Sequence, residues 1–161
     1  KIVVFNEDFI SYGETGQYRG YGAIEAAKVG AVATLIKSVS PFSPANLHTG
    51  ILAYDDSITP IPAACIASND ANMLQRMQER GETIKILLKM EAKMLPNQIS
   101  RNAVAELKGN INPEKVVIVS GHIDSVDVGD GAMDDGGGVF ISWAAAALLN
   151  SLGLKPRRTI R

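Results

Sequence analysis

The chain holds a single cysteine, Cys65, so no disulfide can form within it. Charge of either sign is scarce in excess: the formal net charge is −1 at pH 7. A near-neutral chain gives no electrostatic case for nucleic acid or for an anionic membrane surface. No apolar stretch approaches the roughly 18 residues that a membrane span requires. There is no Asn-x-Ser/Thr sequon to mark a glycosylated surface. Recognisable ends are missing too. Lys1 to Phe5 opens inside a strand-like run without an initiator methionine or signal-peptide pattern, and Pro156 to Ile160 reads as the lead-in to another strand. The expectation is an internal segment of a longer protein.

What is present suits a folded chain. Apolar residues make up 46% and charged residues 20% of 161 positions, enough for one ordinary domain or for a small domain joined to part of another. The first ninety or so residues alternate strand-like and helix-like segments. Strands are expected at Ile2–Phe5, Ala31–Ile36, Ile61–Ala67 and Thr83–Met90. Helices are expected at Tyr21–Val29, stopped by Gly30, and at Ala71–Arg80, capped by Ser68, Asn69 or Asp70 and stopped by Gly81. Ser38 to Thr59 is rich in Pro, Ser, Asp and Gly and reads as a long surface loop. Met94 to Gln98 reads as a linker.

Beyond the linker, Asn102–Leu107 alternates like a half-buried strand. Val116–Val119 is a continuous apolar run suited to a strand covered on both faces. Val139–Leu152 is an alanine-rich helix with Gly153 as its stop. Cys65 sits in the apolar run Pro62–Ala67 and reads as a small buried thiol, not a nucleophile. Met73 and Met77 read as core filling, and His48 as a turn residue.

The chemistry lies directly after Val119. His122-Ile-Asp124 is followed ten residues later by Asp134-Asp-Gly-Gly137. A histidine with carboxylates at a strand end is the donor set of a zinc-type hydrolase, and strand ends are where sites form in open α/β sheets. Residues two apart in an extended segment point the same way, so His122 and Asp124 can face one site. Asp124 either binds metal itself or accepts a hydrogen bond from the second ring nitrogen of His122. The second role is favoured, because a ligating imidazole almost always has such an anchor. A carboxylate such as Asp134, in a loop this rich in glycine, can bridge two metals roughly 3.5–4 Å apart.

The bland alternatives are a structural histidine and a solvated acidic turn. A calcium loop built from Asp124, Asp127, Asp130, Asp134 and Asp135 fails on spacing, and His122 is a poor calcium ligand. The glycine run also lacks the endings of a P-loop or a dinucleotide turn.

Ser120-Gly-His-Ile-Asp-Ser125, Asp127-Val-Gly129, Gly131-Ala-Met-Asp-Asp-Gly-Gly-Gly138 and Ile141-Ser-Trp143 closely resemble the co-catalytic dizinc aminopeptidase and carboxypeptidase family. Gln17-Tyr-Arg19, Glu25–Ala31 and His48–Ile51 look like the protease-associated (PA) domain found in some members, and Gly153–Thr159 like the helix exit of the peptidase core. The resemblance implies an α/β fold in two parts. A PA-type, β-rich α/β insert would occupy residues 1–96. The first strands and helix of a zinc-peptidase α/β/α sheet would occupy 97–161.

It implies that His122 binds one zinc, Asp134 bridges two, and Asp124 holds the His122 ring, while no ligand role is carried onto Asp135. The substrate would be a dipeptide or short peptide, attacked by a metal-activated water. Residence would be secreted or lysosomal, and a homodimer is one assembly the resemblance allows. The family's Glu-Glu pair, which supplies the general base and a ligand, does not occur in these residues, so the chain alone is expected to be inactive. Val126, where an aromatic is usual, and Ala144, where an acid is usual, depart from the pattern and bear on pocket shape. Two rivals are a receptor-like relative without chemistry and a PA interaction module with an inactive tail. Retention of His122, Asp124 and Asp134 argues against the first.

Overall fold

The computed structural model describes residues 1–42, 45–93, 95–126 and 129–161. The chain divides into two compact units, Lys1–Met94 and Leu95–Arg161.

The first unit is built on three parallel strands, β1 (Ile2–Phe5), β2 (Ala33–Lys37) and β3 (Ala63–Ile66), in that order across the sheet. Parallel neighbours need a crossover. Helix α1 (Tyr12–Lys28) supplies it between β1 and β2 and packs against both. β2 lies in the centre, and Ala33, Thr34, Leu35 and Ile36 are all buried, as a strand covered on both faces should be. Between β2 and β3 the described residues form no helix or strand, as expected of a long loop. Helix α2 (Ser68–Glu79) follows β3.

Three expectations change here. Helix α1 starts at Tyr12, not Tyr21, with Ser11 accepting a hydrogen bond from the Glu14 backbone N–H. Gly13, Gly16, Gly20 and Gly22 lower the intrinsic helix propensity of this stretch, yet all four lie within the helix. A Cβ at Gly22 would lie 2.8 Å from the Phe5 ring, so the glycine lets the helix sit close to β1. Helix α2 starts at Ser68 itself, and Ala67 at its cap makes no side-chain hydrogen bond, so the expected Ser68, Asn69 or Asp70 cap is absent. Asp70 instead falls in the first turn, where its charge complements the helix dipole. Thr83–Met90 forms no strand. Its alternation survives as half-buried Ile84, Ile86 and Leu88, but among the described residues no neighbouring segment pairs with it. Gly30 and Gly81 do end their helices, with φ of 79° and 75°.

The second unit holds β4 (Asn112–Val117), a single π-type turn at Ala132–Gly136, helix α3 (Gly137–Ser151) and β5 (Arg158–Ile160). β4 and β5 pair in parallel with a register shift between Asn112 and Val116. The expected strand at Asn102–Leu107 reduces to one antiparallel bridge, Leu107 to Ile160, beside an Arg161–Glu106 ion pair. The expected doubly covered strand at Val116–Val119 ends at Val117, and its four residues are 39–69% exposed, not covered on both faces. Helix α3 ends as expected at Gly153, with φ of 66°. No helix among the described residues is long and apolar enough to cross a membrane.

Candidate functional site

β4 releases the chain at Val117, and the irregular segment after it carries His122 and Asp124. The turn before α3 carries Asp134 and Asp135. Backbone bonds from Arg161 N to Val117 O and from Val119 N to Arg161 O, both 2.9 Å, hold the first segment to β5 just ahead of His122. The His122–Asp124 pairing is therefore a property of a loop, not of strand alternation.

The ring of His122 is held on both sides. Nδ1 lies 2.9 Å from the Asp124 carbonyl oxygen and 3.0 Å from its Oδ1. Nε2 lies 2.9 Å from Asp134 Oδ1. With an acceptor at each nitrogen, the protonated ring is favoured, and the pKa rises above the ordinary value. The Asp124 carbonyl contributes most to the rise; desolvation opposes it as the next-largest effect, and the Asp134 hydrogen bond and then the charges of Asp124 and Asp135 add to the rise. The side chains stay open to solvent, with 52% of His122, 88% of Asp124 and 89% of Asp134 exposed.

These residues fit zinc in donor type. An imidazole nitrogen and a carboxylate oxygen converge from two segments, and a carboxylate already anchors the other ring nitrogen. Among the described residues no group of three or more His, Cys, Asp or Glu gathers to hold a metal. His122 Nε2 and Asp134 Oδ1 are the pair of donor atoms that meet. Beside them lies a cleft of about 240 Å³ lined by His122, Ile123, Asp124, Ser125, Asp130, Gly131, Asp135, Gly136, Val139 and Phe140. Gly131 turns with φ of 68°, where a side chain would also meet Ser125 Cβ at 2.7 Å.

Asp135 turns elsewhere. Its Oδ2 accepts from the His122 backbone N–H and its Oδ1 from Gly138 N–H, each at 3.1 Å. Sequence reasoning gave this residue no role. The available signal was the pair of glycines, Gly121 and Gly138, that border it.

The other candidates lie in the first unit. The His48 ring is bonded through Nδ1 to the Val39 carbonyl and packs on Tyr12 at 5.6 Å. Cys65 donates to the His48 carbonyl at 3.4 Å, and burial pushes its thiol pKa up, against a smaller opposing effect of Arg19, which agrees with an inert thiol. Arg19 is buried, donating to Thr49 O at 3.0 Å and Tyr12 Oη at 2.8 Å. Met73 is 46% exposed, so it does not fill the core as expected. Asp127 of the acidic series, and Met94 at the start of the linker, lie outside the described residues.

Residues 102–161 match the model of Peptidase family M28. Along its whole length the chain is similar to carboxypeptidase Q, at 59% identity to the protein of Xenopus laevis and 57% to that of Homo sapiens. The match covers 100% of this chain and 34% of each relative, so the chain spans about a third of their length. Among solved structures, the peptidase M28 precursor of Shewanella amazonensis matches with a TM-score of 0.89 and 36% identity, covering 99% of this chain and 38% of that one. The mixed α/β fold with parallel strands is thus that of an M28 peptidase segment.

Proposed function

We propose that the protein is a zinc-dependent exopeptidase of the carboxypeptidase or dipeptidase type, hydrolysing peptide bonds of dipeptides or short peptides. The observation that carries this is the His122 ring, anchored at Nδ1 by Asp124 and turned at Nε2 toward Asp134. His122 and Asp134 would hold zinc, with Asp134 reaching a second ion. When bound, zinc supplies a water acidic enough to act as nucleophile near neutral pH.

The chain's own residues prepare that chemistry. Asp124 accepts a hydrogen bond from Nδ1–H, which keeps that proton on Nδ1 in the neutral ring and leaves the Nε2 lone pair for a metal. Ile123, Val139 and Phe140 give the cleft an apolar lining, and Asp130 places a charge at it. Residues 1–96 would be a PA domain that carries no chemistry of its own. The Glu-Glu pair of the family is absent from these 161 residues, so hydrolysis would require a chain that includes it. Kinship with carboxypeptidase Q supports secreted or lysosomal residence.

The test is zinc content and dipeptide hydrolysis by the full-length protein and its His122→Ala variant. Loss of both is expected. A variant that keeps its zinc and its activity would sink the proposal. One observation favours a second function, that of a PA-domain interaction module or receptor-like relative: only two donors converge among the described residues. A full-length protein free of zinc and inert toward dipeptides would move the assignment there.

A further inference from the structure

We propose that Asp135 is a positioning residue for His122, its carboxylate clipping the segment after β4 to the start of α3, with Gly121 and Gly138 making room for the clip. The proposal builds on the assignment of His122 as a zinc ligand. One oxygen of Asp135 accepts from the backbone N–H of His122 and the other from that of Gly138. Among the described residues, the other hydrogen bond joining these segments is His122 to Asp134. Consecutive residues therefore hold one histidine at both ends: Asp134 faces the ring and Asp135 holds the backbone.

The two neighbouring carboxylates are set apart by environment. Asp134 is exposed and faces an imidazole nitrogen, whereas Asp135 is half-buried with both oxygens engaged by N–H groups. The Gly138 N–H is one of the unpaired donors of a helix start, and Gly136 at the cap of α3 offers no side chain to satisfy it. An anionic acceptor there is also favoured by the helix dipole.

The glycines give independent support. Neither Gly121 nor Gly138 has a positive φ, so backbone conformation does not require glycine at either position. Space does. A Cβ at Gly121 would lie 2.8 Å from Asp135 Oδ2 and 2.5 Å from Val139 N, and one at Gly138 would collide with Asp135 Oδ1. A side chain at Gly138 would displace the carboxylate from its two donors, and one at Gly121 would push both the carboxylate and the backbone at the start of α3 away from His122.

The test uses the full chain, with Asp135→Asn and Gly121→Ala as variants. It reads amide hydrogen exchange at His122 and Gly138, the ring ¹⁵N shifts of His122, and zinc affinity. In the unaltered protein both amides should exchange more slowly than their exposed neighbours, which needs no variant to fold. Gly121→Ala should abolish that protection, Asp135→Asn should abolish it at one of the two amides because its amide nitrogen cannot accept, and both should move the ring signals. Each should weaken zinc binding about 10- to 100-fold, the usual cost of losing a residue that orients a ligand. Unprotected His122 and Gly138 amides would overturn the proposal. So would an Asp135→Asn protein with unchanged ring signals and zinc affinity, and that result would leave the zinc assignment standing. Ring signals that move in a protein that binds no zinc would support the clip while removing the metal assignment.

Discussion

Within Lys1–Met94, the apolar side chains of Ala23, Ala26, Leu35, Ile36 and Val39 are buried, and Ser38 Oγ ties together Asn46, His48 and Ile66 at 2.7–3.1 Å. Within Leu95–Arg161, Gly109 and Thr159 are the buried positions among the described residues, while Phe140, Ile141 and Trp143 stand 64–71% exposed. Yet the second unit is the one that brings a histidine and three carboxylates into register. Its site is held by hydrogen bonds and by glycine-sized gaps, not by a surrounding core. Stability and site geometry therefore respond to different residues, and substitutions can separate them. Exposed apolar sets of this size are also surfaces that other polypeptide characteristically covers.

The sharpest test of that separation is the truncation of one large apolar side chain in each unit. Leu35 is 4% exposed in the central strand, so Leu35→Ala should cost about 2–5 kcal/mol through lost burial and a residual cavity. Phe140 is 64% exposed, and Phe140→Ala should change stability by less than about 0.5 kcal/mol. Urea denaturation followed residue by residue reports each unit separately. Equal costs at the two positions would show that α3 is buried in solution and would erase the contrast.

A subtler substitution probes the site alone. Asp124 offers His122 Nδ1 two acceptors, the carbonyl at 2.9 Å and Oδ1 at 3.0 Å, and Asp124→Ala removes the second only. The surviving carbonyl still orients the ring, so zinc affinity should fall about tenfold, the low end for an orienting partner. The Leu35 region should be unaffected. A loss a hundredfold or greater would mean that the carboxylate itself binds metal, the role set aside for Asp124.

What could be read from the sequence divides along the same line. The helix stops at Gly30, Gly81 and Gly153 were legible because positive φ is a local demand that glycine meets alone. The start of α1 was hidden because Gly22 serves a close approach to β1, which no local rule reveals. Thr83–Met90 has the alternation of a strand, but a strand also needs a partner, and pairing is not local. At the site, His122, Asp124 and Asp134 stood out by residue type and spacing, and the fold places their polar atoms within 3.0 Å of one another across the ring. Asp135 was missed because its partners are backbone N–H groups, which a sequence marks only indirectly, here through Gly121 and Gly138.

The smallest expected effect concerns pH, and it also divides the units. His122 holds its proton above the ordinary imidazole value of 6.5, chiefly through the Asp124 carbonyl. For a raised histidine, the stability that the charged form contributes is fully present below the unfolded value and is lost as pH rises through the folded one. The second unit should thus lose a little stability as pH climbs above about 6.5, little because the ring is half exposed and screened. Zinc affinity should run the other way over the same window, since a metal competes with the Nε2 proton. An NMR titration of the metal-free chain, repeated on Asp124→Ala, measures both the shift and its source. The midpoint for His122 should stay above 6.5 in the variant, because the carbonyl that contributes most is still there. A midpoint that returns to the ordinary value would place the effect in the carboxylates and would make this loop far more open than its hydrogen bonds imply.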